Sequence, residues 1–157
     1  VAYAGGTWPV RPTAARAALA ALMLAVPLAV PLPARAAAPV AGRRIHDIQG
    51  TRHLSPLAGA SVRGVPGVVT AVGGNGFWMQ DPRPDKNDAT SEGVFVFTRT
   101  RPAAAAGDAV RVDGRVTEFR PGGARSRGLT RTEIDATATA VSAHGVPLPA
   151  PVVLGPG

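Results

Sequence analysis

Gly76-Phe77-Trp78-Met79-Gln80-Asp81-Pro82, followed after a polar stretch by Thr90-Ser91-Glu92-Gly93-Val94-Phe95-Val96-Phe97-Thr98, decides how the chain is read. The two runs hold three of the four phenylalanines and Trp78, the one tryptophan outside the N-terminal tail. Each is a short hydrophobic segment, and the connection between them is rich in Pro, Asp and Asn. That is the pattern of two strands joined by a loop. Alternation places Phe77 and Met79 on one face of the first run and Trp78 and Gln80 on the other. The four consecutive apolar residues Val94 to Phe97 require cover on both faces of the second.

Upstream, Ser61 to Val72 reads as one long strand carrying Val62, Val65, Val68, Val69 and Val72. Pro66-Gly67 interrupts it, because proline cannot donate to a ladder and glycine weakens a strand; a bulge or bend is expected there. Gly73-Gly74-Asn75-Gly76 is a turn. Farther back, Ile45 to Thr51 reads as a short strand-like piece and His53 to Gly59 as a turn started by Ser55-Pro56. Downstream, Arg99 to Gly107 is a connector with room for no more than one helical turn. Asp108 to Phe119 alternates Val110, Val112 and Val116 with Arg111, Asp113, Arg115 and Thr117, a half-buried strand. Phe119 falls off that parity, so a bulge is expected near Glu118. Arg120 to Gly128 is a basic, glycine-rich loop, and a last strand covers Leu129 to Ser142.

The 157 residues suffice for one ordinary domain. With 19 glycines and 16 prolines, short strands and turns fit better than a helical bundle. The absence of cysteine excludes a disulfide framework and any thiolate metal site. Arg11 to Arg16, the apolar run Ala17 to Leu32 and the Ala34-Arg35-Ala36 step have the layout of a secretory signal peptide, with cleavage after Ala36 or Ala38. The apolar run is broken by Pro27 and Pro31 and is short for a membrane span, which takes about 20 residues, so no stable span is expected. Export to the extracellular space follows. The formal charge of +7 falls once residues 1–38 are set aside, since they carry Arg11, Arg16 and Arg35 and no acid; 14 basic side chains then face 10 acidic ones. The expected organisation is tail and signal-peptide helix over 1–38, lead-in over 39–44, an all-β domain over 45–144, and a proline-punctuated linker over 145–157. Five strands and a bent first strand fit a Greek-key barrel of the oligonucleotide/oligosaccharide-binding (OB) type; from pattern alone a β-sandwich is the rival.

Ile45-His46-Asp47-Ile48-Gln49-Gly50, Ser55-Pro56-Leu57, Gly67-Val68-Val69-Thr70-Ala71-Val72 and Gly76 to Pro82 occur in an order that resembles a known domain. Asp88 to Thr98, Gly107 to Phe119, Leu129 to Ile134 and Pro147 to Pro151 continue it. The stretch 45–154 is similar to the OB-like domain near the N-terminus of secreted bacterial nucleases of the endonuclease/exonuclease/phosphatase family. The resemblance implies an OB fold and a nucleic-acid-binding accessory role. It implies further a covalently linked nuclease domain in the parent protein, with a divalent metal expected only in that domain and no cofactor in this chain. On this reading the chain is a fragment without the catalytic domain and is itself not catalytic.

The expected ligand is single-stranded DNA or RNA, since OB folds bind strands across the face of their second and third strands, where aromatic side chains stack on bases. Trp78 is the stacking candidate, with Gln80 beside it. Arg111, Arg115, Arg120, Arg125, Arg127 and Arg131 are the candidate phosphate contacts. The alternative is a structural spacer in an extracellular hydrolase with no ligand of its own. The loop acids Asp81, Asp85, Asp88 and Glu92 lack the order of an EF-hand and read as solvated. His46-Asp47 has no identifiable third partner for acid/base work. A Ser/His/Asp arrangement, a phosphate-binding glycine loop and a His pair at metal spacing are all missing from the sequence.

Overall fold

The two aromatic runs pair with each other, and the rest of the chain closes a barrel around their inner faces. The computed structural model describes residues 38–151; the expected signal-peptide helix and residues 152–157 lie outside them. In chain order the elements are β1 (Val40–Ala41), α1 (Ile45–Gln49), β2 (Ser61–Val72), β3 (Gly76–Gln80), β4 (Gly93–Phe97), β5 (Ala109–Phe119) and β6 (Arg131–Ala143). The fold is all-β. Strand order runs β2-β3-β4-β6-β5 and returns to β2, with β4 and β6 parallel and the other barrel pairings antiparallel. That is the strand path of a five-stranded Greek-key OB barrel.

A sixth strand was not expected. Within the lead-in, β1 pairs in parallel with β2, Val40 against Val62 and Ala41 against Arg63. A second difference is α1, a helix where the sequence suggested a strand. Asp47 accepts the Arg44 backbone N–H at 2.9 Å, and Gly50 ends the turn with φ of 65°. Ile45 and Ile48, three residues apart, then share one face and are fully buried. Local capping and this period-3 pair outweigh the β-branched composition.

β2 serves both sides of the closure, pairing with β5 from Ser61 to Val68 and with β3 from Val68 to Val72. Its irregularities are not at Pro66-Gly67, which stays in register with Arg111 and Val110; they fall between Val62 and Val65 and between Val69 and Ala71. Gly64, at φ of 65°, takes the first bulge, and its N–H is received by the Asp113 carboxylate at 2.7 Å. Likewise β5 has no irregularity at Glu118. Its register shifts lie between Ala109 and Val110 and between Asp113 and Gly114, and Glu118 keeps the inward parity of Val112 and Val116. A carboxylate can point inward there because Ser55 N–H and the Thr132 hydroxyl donate to it at 2.8 and 2.9 Å. Phe119 is therefore on the outer face, 45% exposed.

The barrel interior is filled by Ile45, Ile48, Val62, Val65, Val69, Phe77, Met79, Val94, Val96, Val110, Val112, Val116 and Ile134. Burying each valine or isoleucine fully contributes about 1.5–3 kcal/mol, so many small side chains do what a few aromatics do elsewhere. The connector from Arg99 to Gly107 forms no helix. Beyond β6, the tail does not leave the barrel at once: Val146 N–H donates to the Gly107 carbonyl at 2.8 Å.

Gly76 lets an aromatic ring lie on the barrel wall. A Cβ there would stand 2.5 Å from Phe95 Cζ and press on the Val96 carbonyl, whereas one at Gly74 would meet nothing within 4 Å. Gly76→Ala is expected to destabilise by about 1–3 kcal/mol through overpacking, read as a lower urea midpoint; Gly74→Ala should leave that midpoint unchanged.

Candidate functional site

The outer faces of β3, β4, β6 and β5 carry a row of flat side chains. Because Phe77 and Met79 point inward, Trp78 points outward, 42% exposed. It pairs with Phe95 of β4, directly opposite in register, with ring centroids 4.7 Å apart and planes tilted by 58°. The Arg131 guanidinium of β6 lies 4.2 Å from the Phe95 centroid and 5.3 Å from that of Phe119 on β5. Trp78, Phe95, Arg131 and Phe119 thus form a continuous chain of contacts across four strands. Tilted aromatic pairs and guanidinium over a ring are favourable geometries for quadrupolar surfaces.

A groove of about 220 Å³ runs beside this row, lined among others by Gln49, Thr70, Trp78, Gln80, Phe95 and Arg131. Thr70 comes from β2 and Gln49 from α1; Gln49 is fixed by donating to the Gly93 carbonyl at 2.6 Å. Arg131 is not a free cation, since it donates to Glu133 at 2.9 Å and that carboxylate is nearly buried. The groove therefore offers flat apolar faces and hydrogen-bonding amides with little net charge.

Of the residues singled out in the sequence, Trp78, Gln80 and Arg131 are brought together here. Arg120 folds back on its own loop, donating to the carbonyls of Ser126 and Gly128 at 3.3 and 2.7 Å. Its loop, which also carries the exposed Arg125 and Arg127, joins Phe119 to Arg131 and so borders the row at its β5–β6 end. Arg111 and Arg115 lie apart. Both are exposed on β5, with Arg111 opposite Pro66 and Ala140 and Arg115 opposite Ser61 and Asp135. Arg115 shares a separate depression with Arg63 and Asp113, and none of that depression's lining residues belongs to the groove.

Phe95, Phe119, Thr70 and Gln49 were missed in the sequence. Phe95 had a readable signal, since alternation puts it opposite Val94 and Val96. Phe119 was hidden by the assumption that an aromatic residue points inward. Gln49 was beyond reach without knowing that α1 is a helix. Gln80 meets the returning tail, with its side-chain nitrogen 3.4 Å from the Ala150 carbonyl.

Glu118 holds the loop before β2 and the start of β6 together beneath this row. Partial burial works against its charge, but the Ser55 N–H and the Thr130 and Thr132 hydroxyls, with His53 nearby, outweigh that and hold the carboxyl below its ordinary value of 4.5. No protein-family model, no curated protein and no solved structure matches this chain.

A folded-state pKa below the unfolded one means stability that is present above the ordinary glutamate value and lost as pH falls through the folded value. Glu118→Gln is expected to cost about 1 kcal/mol at about pH 7. The difference from wild type should shrink on acidification to about pH 3, as the folded Glu118 carboxylate begins to take up its proton. Urea unfolding at the two pH values checks this.

Proposed function

We propose that this chain is a nucleic-acid-binding OB-fold module that holds single-stranded DNA or RNA along the row Trp78–Phe95–Arg131–Phe119. The observation that carries the reading is the row itself: flat side chains on the outer face of adjacent strands, next to a groove with amide donors. Base stacking on such side chains is tolerant of sequence and contributes about 1–3 kcal/mol per base. Arg131, paired with Glu133, acts here through its planar face. Charge for the phosphate backbone comes from Arg125 and Arg127 on the bordering loop, with Arg120 shaping that loop. Arg111 and Arg115, farther along the outer face of β5 from Phe119, suit a strand that continues around the barrel.

In the parent protein the module serves a secreted endonuclease of the endonuclease/exonuclease/phosphatase kind, presenting substrate to a separate metal-dependent catalytic domain. The order of sequence segments supports this part of the proposal, together with the signal-peptide pattern of residues 1–38. One observation favours a second reading, that of a spacer domain without a ligand. The tail returns along the barrel to Gln80 and Gly107, so the groove's edge is partly engaged by the chain's own backbone.

Fluorescence anisotropy of the full chain with a labelled oligothymidylate of about 12 nucleotides, a length within the range one OB fold covers, separates the two. Binding that weakens with salt is expected. Trp78→Ala should weaken it by about 1–3 kcal/mol at every salt concentration. Arg125→Ala and Arg127→Ala should each reduce the slope of log affinity against log salt by about 0.7. Arg131→Lys keeps the charge and should still weaken binding, because the planar face is lost. Absence of binding at low salt leaves the spacer reading.

A further inference from the structure

Three ionisable side chains that lie far apart in the sequence meet beside α1. His46 is on α1, Asp85 is in the loop between β3 and β4, and Glu92 immediately precedes β4. One ligand atom from each lies within 4.8 Å of the others. His46 Nδ1 faces Glu92 Oε2 at 3.5 Å, and these two side chains are only 18% and 13% exposed. That separation is long for a hydrogen bond. It is close to the ~3.3 Å between neighbouring ligands of a tetrahedral zinc ion with bonds of about 2.0–2.1 Å.

We infer that His46, Asp85 and Glu92 form a binding site for Zn2+ or a divalent cation of the same borderline class, which pins the β3–β4 loop to α1. The donor set decides the class. One imidazole nitrogen with two carboxylate oxygens suits zinc and its neighbours, whereas calcium takes oxygen ligands alone. Three protein ligands leave the fourth position to water.

The surroundings hold the two carboxylates in place. Glu92 Oε1 accepts the Asp85 backbone N–H at 2.9 Å, which leaves Oε2 turned to His46. Asp85 Oδ1 accepts the Asn87 N–H at 2.8 Å, and the Thr90 hydroxyl lies 3.1 and 3.0 Å from the two Asp85 carboxylate oxygens and 2.9 Å from the Asn87 carbonyl, with its one hydrogen to share among them. Asp85 Oδ2, which does not receive the Asn87 N–H, and Glu92 Oε2, which does not receive the Asp85 N–H, each keep a lone pair for a metal. The Asn87 N–H, chiefly, holds the Asp85 carboxyl below its ordinary 3.8, so it is ionised at neutral pH. Such outer hydrogen bonds orient ligands and are themselves worth ~10–100-fold in metal affinity. Asp85 and Glu92 also line a depression of about 710 Å³, which gives an ion and its water access from solvent. Two carboxylates this close, on a loop with no hydrophobic anchor of its own, gain a common counter-charge from the ion.

The test is isothermal titration of the EDTA-treated full chain with ZnCl2, with thermal denaturation alongside. The expected result is a site of one-to-one stoichiometry and a Tm that rises with zinc. Affinity should drop at least ~100-fold in His46→Gln, Asp85→Asn and Glu92→Gln. The last two keep the side-chain shape, and far-UV circular dichroism verifies that each variant folds. Co2+ substituted for Zn2+ should give visible absorption bands that Glu92→Gln abolishes. No zinc binding overturns the inference. So does zinc binding that persists in both Asp85→Asn and Glu92→Gln, or a Tm response to Ca2+ without one to Zn2+.

Discussion

A single strand has to satisfy two neighbours. β2 pairs with β5 along its first half and with β3 along its second, and a register irregularity in each half bends its backbone so that both pairings form. Gly64 supplies the bulge at positive φ, and Gly67 leaves room for Met79, whose Sδ would stand 2.7 Å from any Cβ there. The inward positions of β2 then fall at Val62, Val65 and Val69, a spacing that a straight strand of period two could not deliver. Its two neighbours bring their core residues against these positions: Val110, Val112 and Val116 across one seam, Phe77 and Met79 across the other.

Closure of the barrel also creates its outer face. Phe95 is apolar on both sides of a strand that already buries Val94 and Val96, so its ring must be covered from outside. Trp78 and Arg131 provide that cover, and Phe119 extends it. The row is thus part of the barrel's packing as well as its most distinctive surface. Glu133 neutralises Arg131, and the two other loops that border the region differ in character: one is basic, from Arg120 to Arg127, and the other holds the acids Asp85 and Glu92.

Much of the fold could be read from residue types. The bounds of the long strand Ser61–Val72 and the inward and outward sides of β3 follow from β-branched runs and alternation. What could not be read depended on contacts distant in sequence. The helix at Ile45–Gln49 is set by Asp47 capping and by two isoleucines that find a core built elsewhere. Glu118 points inward because Ser55 and Thr132 arrive from other elements to bind it, and that reversed the side assigned to Phe119. Trp78, Gln80 and Arg131 were legible as candidates; their separation from Arg111 and Arg115 was not, because it depends on the path of β5 around the barrel. Leu129, placed in a strand by its apolarity, lies before β6 and is 74% exposed.

β6 is two different strands in one. From Thr132 to Ile134 it is buried between β4 and β5; from Thr137 to Ala143 it is exposed and registered against β5, while its pairing with β4 ends at Asp135. Amide protons in the first part are released only when the barrel opens as a whole, whereas those in the second are released by local fraying with little apolar surface to expose. The returning tail follows that weaker half in sequence, and Val146 and Ala150 hold it to Gly107 and Gln80. Hydrogen exchange should therefore divide the molecule unevenly, with a slow barrel and a fast C-terminal ribbon that can lift from Gln80 while the core stays folded.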